Sequence, residues 1–288
     1  MSHRISVEDS LKSFLAEDVG YGDITTDAII TVNQRARARV TCKEDAIVAG
    51  LHESLLLLKL VGCIVTLRTE DGEKVNAGTD VLVATGLARE LLKIERTLLN
   101  ILSHMSGIAT ITGELVNIVK KTGNPNVRIA ATRKTLPGLR FFEKKAVELG
   151  GGDTHRLGLD DAVLIKDNHL TLTGSLTETV RRARSQTSFT KKIEAEVTQP
   201  GEAVTAAKAG ADIVLLDNMT PQMIRESVSR LRTAGLRNKI LLEASGRINK
   251  SNLTDYIRTG VDIISVGAIT HSAKSIDYSM TITPVKRK

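Results

Sequence analysis

The sequence predicts an α/β protein in which an N-terminal α+β part is followed by an array of alternating strands and helices. From about residue 127 onward, six short apolar segments, such as VRIAAT and DIVLLD, alternate with helical segments. Parallel strands that are buried on both faces have this β-branched composition. Several predicted helices end in a glycine, which suits a left-handed C-cap: Gly150, Gly210, Gly235 and Gly260. Such an array forms an open doubly wound sheet or closes into a barrel, and the pattern alone favours neither.

The first 110 or so residues have a different pattern. A predicted helix over residues 6–17 precedes two strand-rich stretches, RARARVTCKEDAIVAG and CIVTLRTEDGEKVNAGTDVLVATG. A long helical stretch over residues 87–121 joins this part to the array. We therefore expect an N-terminal domain over residues 1–112 and a barrel-like domain over 113–272, with the segment 273–288 packing back on the first domain.

The composition favours small anionic ligands. The chain of 288 residues has a formal net charge of +7, but aromatic residues make up only 2% and tryptophan is absent, so stacking platforms for nucleic acid are scarce. No apolar run approaches the roughly 20 residues of a membrane helix. Cys42 and Cys63 form neither a disulfide framework nor a zinc pattern. We expect a cytoplasmic protein that binds neither nucleic acid nor membranes.

Charged and small residues stand where the predicted strands end. The active site of a β/α array lies at the carboxyl ends of its strands. The residues at these ends are Arg133, Lys134, His155, Arg156, Lys166, Glu194, Glu196, Asp217, Glu243, Ser245, Gly246 and Gly267. They predict one functional rim, although ion pairs between strands inside a barrel would explain some of the same charges.

The residue types at this rim indicate a particular chemistry. Arginine, lysine and histidine bind carboxylates and phosphates, and arginine does so with two parallel hydrogen bonds. Backbone N–H groups near Gly246 and Gly267 are unhindered and suit a phosphate. Glu196 and Asp217 offer oxygen ligands for Mg²⁺ or hydrogen-bond acceptors for sugar hydroxyls. The sequence thus predicts a site for a phosphorylated sugar and a multiply charged acid.

Motifs spread over most of the chain resemble one enzyme family. They are FLAEDVGYGDITT (14–26), ERTLLNILSHMSGIAT (95–110), ATRKTLPGLR (131–140), GGGDTHRLGLDDAVLIKDNH (150–169), EAEV (194–197), LLDNM (215–219), LEASG (242–246) and ISVGAITHS (264–272). In order and spacing they are similar to quinolinate phosphoribosyltransferase, also called nicotinate-nucleotide pyrophosphorylase (carboxylating). The resemblance extends from about residue 8 to residue 272.

The resemblance implies a fold and a reaction. The family combines an N-terminal α/β sandwich with an incomplete α/β barrel of six or seven strands. It transfers phosphoribosyl from phosphoribosyl pyrophosphate (PRPP) to quinolinate and releases pyrophosphate and CO₂, which yields nicotinate mononucleotide for NAD biosynthesis. It also implies Mg²⁺ as cofactor and a homodimer or a larger assembly.

The resemblance assigns the cationic residues to the acid. Arg133, His155 and Arg156 would line the pocket for the quinolinate carboxylates. Lys134 and Lys166 would lie between quinolinate and PRPP and take part in catalysis.

The resemblance assigns the remaining residues mainly to PRPP. Glu196 and Asp217 would be catalytic, holding the ribose hydroxyls and Mg²⁺ directly, through water or through PRPP. Ser245, Gly246 and Gly267 would hold the 5′-phosphate.

Three further positions complete the expectations. Arg96 would reach the site from the partner subunit, which makes the site composite. His169 belongs to a motif but receives no role. Arg247 stands where the family usually has a second glycine, and its side chain either adds a phosphate contact or points to solvent.

Two kinds of alternative remain at this stage. One is a sister protein, either a nicotinate phosphoribosyltransferase or a related molybdenum-cluster homologue. The pairing of His155 and Arg156 with Arg133 favours an acid with two carboxylates over one. The other is a phosphate-binding barrel without catalysis, against which Glu196 and Asp217 argue.

Overall fold

The computed structural model describes residues 6–285, so the last three residues of the predicted C-terminal segment lie outside it. The chain divides into two compact units. Unit 1 contains the residues up to Ile111, the segment Pro137–Gly150 and the residues from Ala273 onward. Unit 2 contains Thr112–Leu136 and Gly151–Ser272.

The described residues form helices and strands throughout both units. The helices are α1 (Val7–Val19), α2 (Ile24–Ile29), α3 (Leu51–Leu60), α4 (Ala88–Lys121), α5 (Arg140–Leu149), α6 (Asp167–Thr173), α7 (Leu176–Gln186), α8 (Pro200–Ala209), α9 (Pro221–Thr233), α10 (Leu253–Ile257) and α11 (Ala268–His271), with a 3₁₀ turn at Arg237–Lys239. The strands are β1 (Arg35–Cys42), β2 (Ala46–Ile47), β3 (Ile64–Leu67), β4 (Lys74–Val75), β5 (Asp80–Leu87), β6 (Arg128–Ala130), β7 (Val163–Ile165), β8 (Ile193–Val197), β9 (Ile213–Asp217), β10 (Leu241–Ser245), β11 (Ile263–Ser265) and β12 (Tyr278–Pro284). Within the described part of the chain, no helix is both long and apolar enough to cross a membrane.

Unit 1 is built on an antiparallel sheet in the order β12, β1, β5, β3. Strand β1 alternates between exposed arginines and buried residues such as Ala38 and Val40, as expected when one sheet face is packed and the other is open. The C-terminal segment supplies β12, which pairs with β1 along seven residues. Where this segment passes α4, a Cβ atom on Gly107 would lie 2.2 Å from the Lys274 carbonyl oxygen, so only glycine fits there.

The sequence-based division placed residues 113–272, which include helix α5, in one domain. In the structure, α5 belongs to unit 1 instead. The ring centroid of Phe142 lies 5.6 Å from that of Phe14, and the Lys145 ammonium lies 2.8 Å from the buried Glu53 carboxylate. The partners of the buried α5 side chains are therefore in the N-terminal part, which local pattern could not reveal.

Unit 2 contains a parallel sheet of six strands in the order β6, β11, β10, β9, β8, β7. Beyond β6, a single parallel bridge joins Ala130 to Asp153, in the loop that precedes β7. Two aspartates strengthen the amino ends of the strands, since Asp212 accepts the Ile193 N–H at 2.8 Å and Asp262 accepts the Leu242 N–H at 2.7 Å. The prediction of an α/β protein with a sheet domain and an incomplete barrel is confirmed.

Candidate active site

The structure gathers the predicted site residues, except Arg96, into unit 2. All six strands run parallel, so the residues that follow them meet at one end of the sheet. These residues are Arg133, Lys134, His155, Arg156, Lys166, Glu196, Asp217, Ser245, Gly246, Arg247 and Gly267. Arg96 is exposed on α4 in unit 1.

Two carboxylates stand at the ends of the neighbouring strands β8 and β9. Glu196 lies opposite Leu215 in the register, and Asp217 is the last residue of β9. Burial, together with the negative charge of Asp217, raises the pKa of Glu196, whereas the ammonium of Lys166 opposes the rise. Such a pair of half-buried carboxylates favours a cation between or beside them.

Two guanidinium groups form the cationic side of the site. Burial, and then the positive charge of Arg133, lower the pKa of Arg156. The Nη1 atom of Arg156 donates to the Ala162 carbonyl at 3.2 Å. The Nε atom of Arg133 is buried without a hydrogen-bond partner. Like charges held together in this way are stabilised by a bound anion.

Two lysines complete the cationic side, and local contacts hold their backbones in place. The carbonyl of Lys134 accepts a hydrogen bond from Thr270 Oγ1 at 2.7 Å. The N–H of Lys166, immediately after β7, donates to His169 Nδ1 at 2.9 Å. His169, for which the sequence indicated no role, thus caps α6 beside Lys166. Both lysine side chains are exposed and free to meet a ligand.

The turn after β10 requires glycine at residue 246. Gly246 has φ +100°, and a Cβ there would lie 2.3 Å from Asn218 Oδ1. Asn218 in turn donates from Nδ2 to the Asp217 carboxylate at 2.8 Å. Sequence reasoning missed Asn218, although it belongs to the LLDNM motif. The turn and the Asp217 carboxylate are therefore coupled through one amide side chain.

Arg247, at the position where the resemblance implies a second glycine, has φ +50° and is exposed. A non-glycine residue in this left-handed region costs roughly 1–2 kcal/mol. The backbone geometry explains why glycine suits this position. Because Arg247 is exposed, we expect its side chain to be directed toward solvent.

We expect Arg247→Gly to stabilise the protein by about 1 kcal/mol, because glycine relieves the left-handed backbone strain and loses only part of that gain to unfolded-state entropy. The Michaelis constant for PRPP should not change, since the side chain is exposed. Urea unfolding and steady-state kinetics check both parts. A higher Michaelis constant for PRPP would show instead that the Arg247 side chain binds phosphate.

Two buried glutamates near His155 were noted in the sequence but received no role. His155 Nε2 lies 3.4 Å from Glu194 Oε2 and 3.3 Å from Glu243 Oε2, and both carboxylate side chains are only 1% exposed. His155, in the loop before β7, thus pairs with glutamates on two strands, which is the kind of ion pair considered as an alternative explanation of the rim charges. A glutamate within an apolar parallel strand is the signal that could have found them. Burial acts to lower the pKa of His155, but the two carboxylates raise it to about 10.

Fold and site together define an α/β-barrel enzyme for phosphorylated and carboxylated substrates. The sequence profiles of the quinolinate phosphoribosyl transferase N-terminal and C-terminal domains match residues 23–106 and 108–281. The chain belongs to the quinolinate phosphoribosyl transferase family. It is a phosphoribosyltransferase of de novo NAD biosynthesis.

Individual relatives are similar along nearly their whole length. A probable nicotinate-nucleotide pyrophosphorylase (carboxylating) from Methanothermobacter thermautotrophicus is 45% identical over 278 residues, which cover 96% of this chain and 99% of the relative. The nicotinate-nucleotide pyrophosphorylase (carboxylating) of Mycobacterium leprae is 37% identical and covers 96% of this chain and 97% of the relative. The solved nicotinate-nucleotide pyrophosphorylase from Francisella tularensis has a TM-score of 0.88 at 36% identity, with 96% of each chain covered.

Proposed function

We propose that the charged end of unit 2 binds quinolinate and PRPP and joins them, releasing pyrophosphate and CO₂. The observation that carries this proposal is the pair Arg133 and Arg156, two neighbouring guanidiniums of which one has a buried, unpartnered Nε. Quinolinate has two adjacent carboxylates, so it offers each guanidinium an anionic partner. Lys134 and Lys166 lie on the side of PRPP and bind its departing pyrophosphate.

The carboxylates Glu196 and Asp217 act on the ribose. As the bond between C1 and pyrophosphate breaks, positive charge develops on the ribose ring, and two fixed carboxylates stabilise it. Their oxygen atoms and their mutual repulsion also fit Mg²⁺, which would neutralise charge on the leaving pyrophosphate. The turn Ser245–Gly246 and the backbone at Gly267 hold the 5′-phosphate.

Decarboxylation follows from the new bond. When the pyridine nitrogen attaches to C1, the ring becomes a cation and accepts the electron pair of the adjacent carbon–carboxylate bond. CO₂ leaves, and a proton takes its place on the ring carbon. Arg133 and Arg156 bind the carboxylates until this step, and the sequence of bonds requires no covalent enzyme intermediate.

A product analysis tests the proposed function. The protein is incubated with PRPP, Mg²⁺ and quinolinate, and nicotinate mononucleotide, pyrophosphate and CO₂ are quantified. We expect the three products in equal amounts. Absence of all three from a folded, Mg²⁺-supplied protein would favour a binding barrel without catalysis.

We propose further that the enzyme is a homodimer with composite sites, in which Arg96 serves the partner's site. A two-fold interface repeats such a contact in both directions. Arg96→Ala and Lys166→Ala chains should each be nearly inactive alone. In mixed dimers, however, one site carries both changes and the other carries neither.

Co-expression of the two variants checks this arrangement. About half of randomly formed dimers are mixed, and each has one intact site, so roughly a quarter of normal activity should return. Mass measurement confirms the mixed dimers. If their activity does not exceed the average of the two parents, Arg96 does not act across an interface.

We also propose a cytoplasmic location. Cys42 and Cys63 are both free and buried, which suits a reducing compartment. The family's reaction uses the metabolite PRPP, so the proposed location rests on the proposed function.

A further inference from the structure

The backbone and ring of His155 are held on several sides by protein groups. Its N–H donates to Asp153 Oδ1 at 2.8 Å, and its Nδ1 accepts the N–H of Arg156 at 2.7 Å. Its Nε2 points between the carboxylates of Glu194 and Glu243. Both ring nitrogens therefore have contacts within the protein.

The backbone at His155 is strained, with φ +52°. A left-handed conformation at a residue other than glycine persists only where surrounding contacts determine it. The next residue along the chain is Arg156, whose guanidinium neighbours Arg133. The contacts that stabilise His155 thus fix the Arg156 backbone, from which the Arg156 side chain extends.

The two glutamates are the unusual part of this arrangement. They lie on β8 and β10. Glu194 Oε1 is buried without a hydrogen-bond partner, and the 3.3 Å contact of Glu243 Oε2 with His155 Nε2 is an ion-pair contact and not a well-aligned hydrogen bond. Removing two carboxylates from water is costly, and apolar side chains of similar size would avoid that cost. Among the described residues, the histidine ring that contacts these two carboxylates is that of His155, through its Nε2.

The ring donates from Nε2 in either protonation state. The carboxylates favour the imidazolium, whereas the Arg156 N–H facing Nδ1 favours the neutral ring. When Nδ1 accepts a hydrogen bond, the single proton of the neutral ring is on Nε2. The contact with the glutamates therefore does not depend on the charge of His155. It also leaves no lone pair on Nε2 for a metal ion, although the three groups lie within 4.8 Å of one another.

We propose that Glu194 and Glu243 are positioning residues for quinolinate binding, because their carboxylates contact the Nε2 of His155, which in turn sets Arg156 beside Arg133. His155 then acts as an anchor for Arg156. This inference rests on the proposed function of Arg133 and Arg156. It adds to the site two residues that neither contact the substrate nor take part in bond breaking.

The test compares two kinds of substitution. Glu194→Met and Glu243→Met remove the acceptor at similar side-chain length, whereas Glu194→Gln and Glu243→Gln retain one acceptor oxygen. The loss of one buried polar contact with the ring, comparable in strength to an ordinary hydrogen bond, predicts that each Met variant raises the Michaelis constant for quinolinate about tenfold. The turnover number and the Michaelis constant for PRPP should stay close to those of the unchanged enzyme, and the Gln variants should retain most of the quinolinate affinity.

A matched control lies two residues away on the same strand. Glu196→Gln should lower turnover with little change in the Michaelis constant for quinolinate. The proposal is overturned if the Met variants leave that constant unchanged, or if they lower turnover in the same way as Glu196→Gln. Equal losses in the Met and Gln variants would also overturn it, since the contact between the side-chain oxygen and the ring would then not be the cause.

A second measurement does not depend on activity or on the folding of the variants. Nitrogen-15 NMR of the imidazole rings in the unchanged protein should show His155 with a proton on Nε2. A ring protonated on Nδ1 alone would contradict the arrangement. If the ring has the expected proton but the protein makes no nucleotide from quinolinate, the proposed function fails while the structural anchor stands.

Discussion

Replacing Arg133 or Arg156 by alanine is expected to weaken quinolinate binding by about 2–5 kcal/mol, the range for removing one partner of a desolvated charge pair. This corresponds to a roughly 30-fold to 4,000-fold higher Michaelis constant for quinolinate. The reason is that in the proposed complex each guanidinium meets one carboxylate, and the lost partner leaves a charge of the acid unpaired. Affinity for PRPP should change far less.

Steady-state kinetics with each substrate varied in turn measure this separation. Arg225→Ala is a matched control, because Arg225 is an exposed arginine on α9 outside the site. It should leave both Michaelis constants unchanged. Equal losses of affinity for quinolinate and PRPP in the Arg133 variant would contradict its assignment to the acid.

Changing Glu196 to glutamine or Asp217 to asparagine is expected to lower turnover by about 10²–10³, the scale for removing a fixed group that stabilises transition-state charge. Quinolinate binding should weaken much less, since in the proposed mechanism these carboxylates act on the ribose and on Mg²⁺. Quinolinate affinity that falls in step with turnover would contradict this assignment.

The same pair predicts a pH dependence. Burial and the charge of Asp217 raise the pKa of Glu196, so Glu196 takes up a proton at a higher pH than an ordinary glutamate does. In the Asp217→Asn variant the repulsion is gone, and the acid limb of the residual turnover should move to lower pH. A limb that stays in place would show that Glu196 does not control it.

Much of the fold could be predicted because local sequence patterns indicate its strands. Apolar, β-branched runs indicated the six parallel strands, and all six are present in unit 2. Helix α5 could not be assigned in this way, since Phe142 and Lys145 find their partners far away in sequence, at Phe14 and Glu53. The sequence analysis expected the C-terminal segment to pack on the N-terminal part, but the pairing of β12 with β1 is a contact between the two ends of the chain that local pattern could not specify.

The site residues likewise divide into those that the sequence predicts and those that depend on which strands are neighbours. Residues at strand ends could be found from the sequence, because parallel strands bring their carboxyl ends together whatever the details of packing. The grouping of His155 with Glu194 and Glu243 depends on which strands are neighbours and on a left-handed backbone at His155. Asn218 was missed for a similar reason, since its contact with Gly246 arises only when β9 and β10 lie side by side.

Turnover of quinolinate and of nicotinate by the unchanged protein, compared under the same PRPP and Mg²⁺ concentrations, tests the central claim most directly. The site presents Arg133 and Arg156 together, and an acid with one carboxylate leaves one of them without its partner. By the cost of an unpaired desolvated charge, kcat/KM for quinolinate should exceed that for nicotinate by a factor of about 30 or more. Equal values of kcat/KM for the two acids would contradict the account of a site built for two carboxylates.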